Sequence, residues 1–127
     1  MGERANIYVI QHGYNNGQGE EKEIGIYLYS HWDGPNLVKI LQTALKRNQR
    51  WDDEPYLTRI IFSEMIKDNI EDETGYGIST YICDNSYPIL VVDTEKQEVS
   101  IQHESRTVSF KNFCELNEEQ LLKFFFG

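Results

Sequence analysis

Ile, Val and Tyr crowd into residues Asn6 to Gln11 and again into Ile24 to Ser30, with Gly13, Asn15, Asn16, Gly17 and Gly19 lying between. β-Branched and aromatic side chains suit a pleated surface, and glycine and asparagine suit turns, so this pattern predicts a β-hairpin. The intervening loop, with Glu20-Glu21-Lys22-Glu23, is too polar to pack and is expected to be solvent-exposed and mobile. Beyond His31-Trp32-Asp33-Gly34-Pro35 the spacing changes. Leu37, Ile40, Leu41, Ala44 and Leu45 recur as one face of a helix, with Pro35 in its first turn and Lys46, Arg47 and Arg50 at its far end.

Asp52-Asp53-Glu54-Pro55 is a second helix start, and Leu57, Ile60, Ile61 and Met65, widened by Phe62 and Ile66, carry the stripe to about Asn69. Thr74-Gly75-Tyr76-Gly77 should stop that helix. Three short strands are then expected at Ile78 to Cys83, Pro88 to Asp93 and Glu98 to Gln102, joined by Asp84-Asn85-Ser86 and Thr94-Glu95-Lys96-Gln97 as an antiparallel meander. Arg106 to Ser109 is a candidate fourth strand, and Phe110 to Phe126 reads as mostly helical around a break near Asn117. The order ββααβββ(β)α predicts an α+β fold: an antiparallel sheet of about five strands with two or three helices on one face.

The length of 127 residues fits a single domain spanning 1-127, large enough to bury a core without metals or disulfides. No apolar run approaches the length of a membrane helix, and Met1-Gly2-Glu3-Arg4 does not open a signal-peptide pattern, so a cytoplasmic protein with no membrane partner is expected. Cys83 and Cys114 have no further cysteine with which to build a disulfide framework or zinc site, and both are expected to be buried and reduced. The net charge of -9 disfavours direct nucleic-acid binding. A basic protein partner is easier to accommodate, and an acidic surface that mimics DNA is one form this could take.

The densest cluster of reactive side chains is Tyr29-Ser30-His31-Trp32-Asp33-Gly34, at the passage from strand to helix. Imidazole exchanges protons near neutral pH and indole offers a stacking face, although Asp33 or Gly34 could equally serve as a cap and Trp32 as a plug. A ligand-binding corner of Tyr29, His31, Trp32 and Asp33, with Arg59 and Tyr76 nearby, is the resulting expectation. If the chain is an enzyme, His31 would be the general acid or base and Asp33 its orienting carboxylate. A metal site joining His12 and His31 is not expected, because the hairpin holds them near opposite ends, and His103 stands alone. Asp52, Asp53 and Glu54 are expected to serve a helix N-terminus, and Glu64 and Asp68 to pair at the surface with Arg59 and Lys67. Tyr27, Tyr29, Tyr76, Tyr81 and Tyr87 could form a stacking surface if they shared a face with Arg59 or Arg106. No cofactor motif is present.

The segments Ile26 to Gly34, with its Tyr-x-His-Trp-Asp-Gly motif, Pro55 to Phe62, Thr74 to Ser79 and Pro88 to Asp93 resemble small uncharacterised proteins of phages, prophages and archaeal mobile elements. The likeness covers about residues 6 to 102 and implies a context but no catalytic residue. It favours a non-enzymatic binding protein that neutralises a host factor, by occluding a host protein or sequestering a small nucleotide signal. A small hydrolase or phosphodiesterase using His31 and Asp33 is the enzymatic alternative. Exposed strand edges leave room for a homo-oligomer.

Overall fold

The computed structural model describes residues 2–12 and 23–127. The hairpin loop and the Glu20-Glu21-Lys22 stretch expected to be exposed and mobile lie outside the described residues. The fold is α+β. Strands β1 (Ala5–Gln11) and β2 (Ile24–Ser30) pair antiparallel as the alternating pattern predicts, in a register running from Ala5 opposite Ser30 to Gln11 opposite Ile24. A 3-10 turn (Gly34–Asn36) leads into α1 (Leu37–Leu45), and α2 (Glu54–Ile66) follows. Strands β3 (Tyr76–Ser79), β4 (Leu90–Asp93), β5 (Glu98–Ile101) and β6 (Thr107–Ser109) complete the sheet, and α3 (Phe110–Glu115) and α4 (Glu118–Phe126) close the described chain.

The sheet corrects the expected one in size, order and direction. It has six strands in the order β3-β2-β1-β4-β5-β6, and β4 runs parallel to β1, with Ile7, Tyr8 and Val9 opposite Leu90, Val91 and Val92. The meander therefore does not form as predicted. The β1–β2 hairpin separates β3 from β4, leaving β3 beside β2 at one edge, while β4, β5 and β6 extend the other side. A strand of four buried residues, Leu90–Asp93, can take the central place beside β1 because it needs apolar neighbours on both faces.

Alternation along the strands separates two faces. Ile7, Val9, Leu28, Leu90, Val92, Val99 and Ile101 turn to the side where Leu37, Leu41, Leu45, Leu57, Ile61, Phe110, Phe113, Leu121 and Phe125 of the helices fill the main core. Tyr8, Ile89 and Val91, with Ile10 and Tyr27, form a smaller cluster on the opposite face. Four α-helices therefore share one face, rather than two or three. The tail divides into two of them because Asn117 is a capping box: its side chain accepts from Gln120 N–H and the Gln120 side chain accepts from Asn117 N–H.

The second helix ends at Ile66, a few residues before the expected Asn69. Its Glu64 pairs with Lys67 at 2.8 Å, as expected, but it is buried and its other partner is Arg47 at 2.7 Å, in place of the Arg59 expected at the surface. Both cysteines are free. Cys83 is exposed and Cys114 half-buried, against the expectation that both are buried, because the turn after β3 carries Cys83 away from the core.

Candidate functional site

The corner after β2 is built by backbone bonds to distant segments. His31 N–H donates to the Gly75 carbonyl at 2.8 Å, and Gly34 N–H to that of Glu3 at 2.9 Å. Gly34 has φ +50°, which a residue without a side chain adopts at no steric cost. Ser30, fully buried, locks the bend from inside: its hydroxyl donates to Asp33 Oδ2 at 2.7 Å and accepts from Asp33 N–H at 3.1 Å. Asp33 stands at the N-terminus of the 3-10 turn but makes no side-chain capping bond there.

Tyr29 and His31, two apart along the chain, share a hydrogen bond of 2.8 Å between the phenol oxygen and Nδ1. Burial pushes the Tyr29 phenol up, and the negative charge of Asp84 adds to the rise. Trp32 stands edge-on to His31 at 5.4 Å and to Tyr76 at 6.2 Å. Burial also raises the Tyr76 phenol. The fold thus brings together Tyr29, His31, Trp32, Asp33 and Tyr76. It does not bring in Arg59 by any polar contact: that side chain is exposed on α2 and donates to Ser63 at 3.1 Å. His31 and Asp33 do not bond to each other. Each has a different internal partner, Tyr29 for His31 and Ser30 for Asp33.

What the corner offers outward is apolar. Trp32 is 48% exposed, and Ile78 at 60%, Tyr81 at 67% and Ile82 at 44% are exposed on and just after β3, the strand that Trp32 adjoins through Tyr76. Lone exposed apolar residues are ordinary, whereas several large ones near one another along the chain, as from Ile78 to Ile82, suit a contact with a partner.

Comparison of the chain with protein-family models, curated proteins and solved structures finds no match.

A second polar cluster lies where β1 and β4 end side by side. His12 Nε2 meets Asp93 Oδ1 at 2.7 Å and Nδ1 meets Glu95 Oε2 at 3.3 Å, beside a cleft of about 380 Å³ that Asp52 and Glu54 also line. Burial pushes the Glu54 carboxyl above its ordinary range. Asp53 caps α2, accepting from Tyr56 N–H, the N-terminal role expected of these acids. Through these two carboxylates His12 ties the exit of β1 to the turn after β4. Sequence reasoning missed the pairing because Asp93 is 81 residues away and the parallel register that joins them has no local signature. Among the described residues no group of three His, Cys, Asp or Glu side chains is placed to hold a metal ion.

The tyrosines do not form one stacking face. Tyr27 and Tyr29 point to the face opposite the helices, Tyr76 lies on the helix side of β3, and Arg106 is spent on Glu104 and the Phe124 carbonyl. Cys114 is no better placed as a nucleophile, since burial pushes its thiol up.

Proposed function

We propose that this chain is a non-enzymatic binding protein that occludes a protein partner with the surface formed by Trp32, Ile78, Tyr81 and Ile82. One observation carries the reading. The groups able to do acid-base chemistry at the corner bond internally, His31 through Nδ1 to Tyr29 and Asp33 through Oδ2 to Ser30, while the large apolar side chains beside them face solvent. A surface of this kind gains affinity from burying aromatic area and supplies no reacting group. The resemblance to phage and mobile-element proteins points to a host protein as the partner class. No helix among the described residues is long and apolar enough to cross a membrane.

Immobilised wild-type protein, exposed to an extract of a candidate host cell, is expected to retain a protein that the Trp32→Ala, Tyr81→Ala double variant loses. Truncating a central aromatic anchor costs ~2 kcal/mol or more, roughly thirtyfold in Kd. Equal retention by both proteins would refute this surface as the binding site. Melting curves with cyclic nucleotides and ADP-ribose derivatives test the other branch. A shift that disappears in Trp32→Ala would replace the protein partner by a nucleotide stacked on the indole.

A further inference from the structure

Strand β3 is one of the two outer strands of the sheet, and its hydrogen-bonding phase follows from the bonds beside it. His31 N–H donates to the Gly75 carbonyl, and the register continues as Tyr29 opposite Gly77 and Tyr27 opposite Ser79. In an antiparallel ladder the pairs that exchange bonds alternate with pairs that do not. Residues 75, 77 and 79 therefore turn their backbone groups to β2, and Tyr76 and Ile78 turn theirs outward, away from the sheet. Natural edges are commonly guarded by lysine, proline or a bulge. This edge has none of these: no charged residue occurs from Thr74 through Cys83, and the side chain of Ile78 is 60% exposed.

We infer that a second copy of this chain docks on this edge by antiparallel pairing of β3 with β3 about a two-fold axis at Gly77. Three features select this occupant and this register. Two copies of a chain carrying a net charge of -9 repel each other unless neutral surfaces meet, and a charge-free strand is complementary to itself. Residues opposite one another across a ladder point to the same face, so a two-fold joining the sheets sets Tyr76 against Tyr76, Tyr76 against Ile78, or Ile78 against Ile78 of the second copy, the last of these carrying Tyr76 to the bend at Thr80. Setting Tyr76 against Ile78 uses the outward backbone groups of both residues and stays within Tyr76–Ser79, ahead of the bend at Thr80. Gly77 then meets Gly77 in a pair that exchanges no bonds, where strands approach most closely and the missing side chain removes any crowding. Each Tyr76 packs on an Ile78, an aromatic and β-branched pairing that suits a sheet. The two six-stranded sheets become one.

This inference shares its surface with the proposed binding role, and a host protein reaching the edge would compete with the second copy. Sedimentation velocity over a range of concentrations is expected to take the mass from the 14.9 kDa monomer to its double. Ile78→Pro removes an outward N–H that β2 does not use, so it should melt near the wild type and remain monomeric at every concentration. Ile78→Lys, which keeps the N–H and adds charge at the pairing, is expected to be monomeric too, and it decides the matter if the proline variant fails to fold. A positive test uses Gly77→Cys in a Cys83→Ser background. A β-carbon at Gly77 would lie 4.0 Å from Tyr29, an ordinary contact, so the variant should fold. Mild oxidation should cross-link it across the axis, and Ser79→Cys in the same background should stay uncross-linked. A wild type that is monomeric throughout would overturn the self-pairing and leave the host-protein reading to its own retention test. A dimer that survives both Ile78 substitutions, or cross-links through residue 79 and not 77, would overturn the strand register.

Discussion

Gln42 is a polar residue on the buried face of α1, only 7% exposed, and it governs how the last two helices join the core. Its Nε2 donates to the carbonyls of Leu116 at 2.7 Å, Phe113 at 3.0 Å and Cys114 at 3.4 Å, at the end of α3 and in the link to α4. Helix C-termini leave such carbonyls without partners along the chain. Gln42→Leu keeps about the same volume and removes the donor. Phe113 retains a bond from Leu116 N–H at 3.3 Å, so the loss falls on Leu116 and Cys114. A buried acceptor left unpaired costs ~1–3 kcal/mol, and the added apolar burial offsets part of this, for a net loss of about 2 kcal/mol. At ~2.1 cal/mol/K of unfolding entropy per residue, that lowers the Tm of a chain of 127 residues by about 7 °C. Differential scanning calorimetry on the wild type, Gln42→Leu and Gln42→Glu measures it. Glutamate, which when ionised can only accept, should cost more than leucine. A leucine variant as stable as the wild type, or a glutamate variant no worse than leucine, would show that the Gln42 amide does not hold these carbonyls in the way described.

Three further outcomes follow from the structure. The hydrogen bond from Lys67 holds the Glu64 carboxyl below its ordinary range, so the stability it contributes is complete above that range and is lost as pH falls through the depressed value. Urea midpoints of Glu64→Gln should therefore fall less than those of the wild type between neutral and strongly acidic pH, and parallel curves would contradict this. Gly75 has φ +98° and a β-carbon there would run into the Trp32 indole, so Gly75→Ala should cost about 1–3 kcal/mol and change the Trp32 fluorescence against a Trp51→Phe background. Asn117→Ala removes one half of the capping box and should destabilise by about 1 kcal/mol, read from denaturant midpoints with an unchanged m-value.

Elements whose causes are local were legible along the chain. The hairpin of Asn6 to Gln11 with Ile24 to Ser30 follows from alternation, the first helix from the stripe of Leu37, Leu41, Ala44 and Leu45, and the division of the tail from the capping chemistry of Asn117. Asp53 was legible as a cap for the same reason. The corner from Tyr29 to Asp33 could be located as a cluster, but what its residues do could not be read, because that depends on which atoms meet.

That β4 runs parallel to β1 while β3 is left at an open edge emerges with packing, since strand order is set by long-range burial and not by strand composition. It also joined His12 to Asp93, Gln42 to the carbonyls near Leu116 and Arg47 to Glu64, pairs whose members lie too far apart in sequence for any periodicity to connect. Burial then turned Glu64 from a surface charge into a buried one and left Ile78, within an expected strand, exposed. A side chain's neighbours along the chain fix its local geometry, but its role depends on the solvent and the partners left to it once the layers have packed.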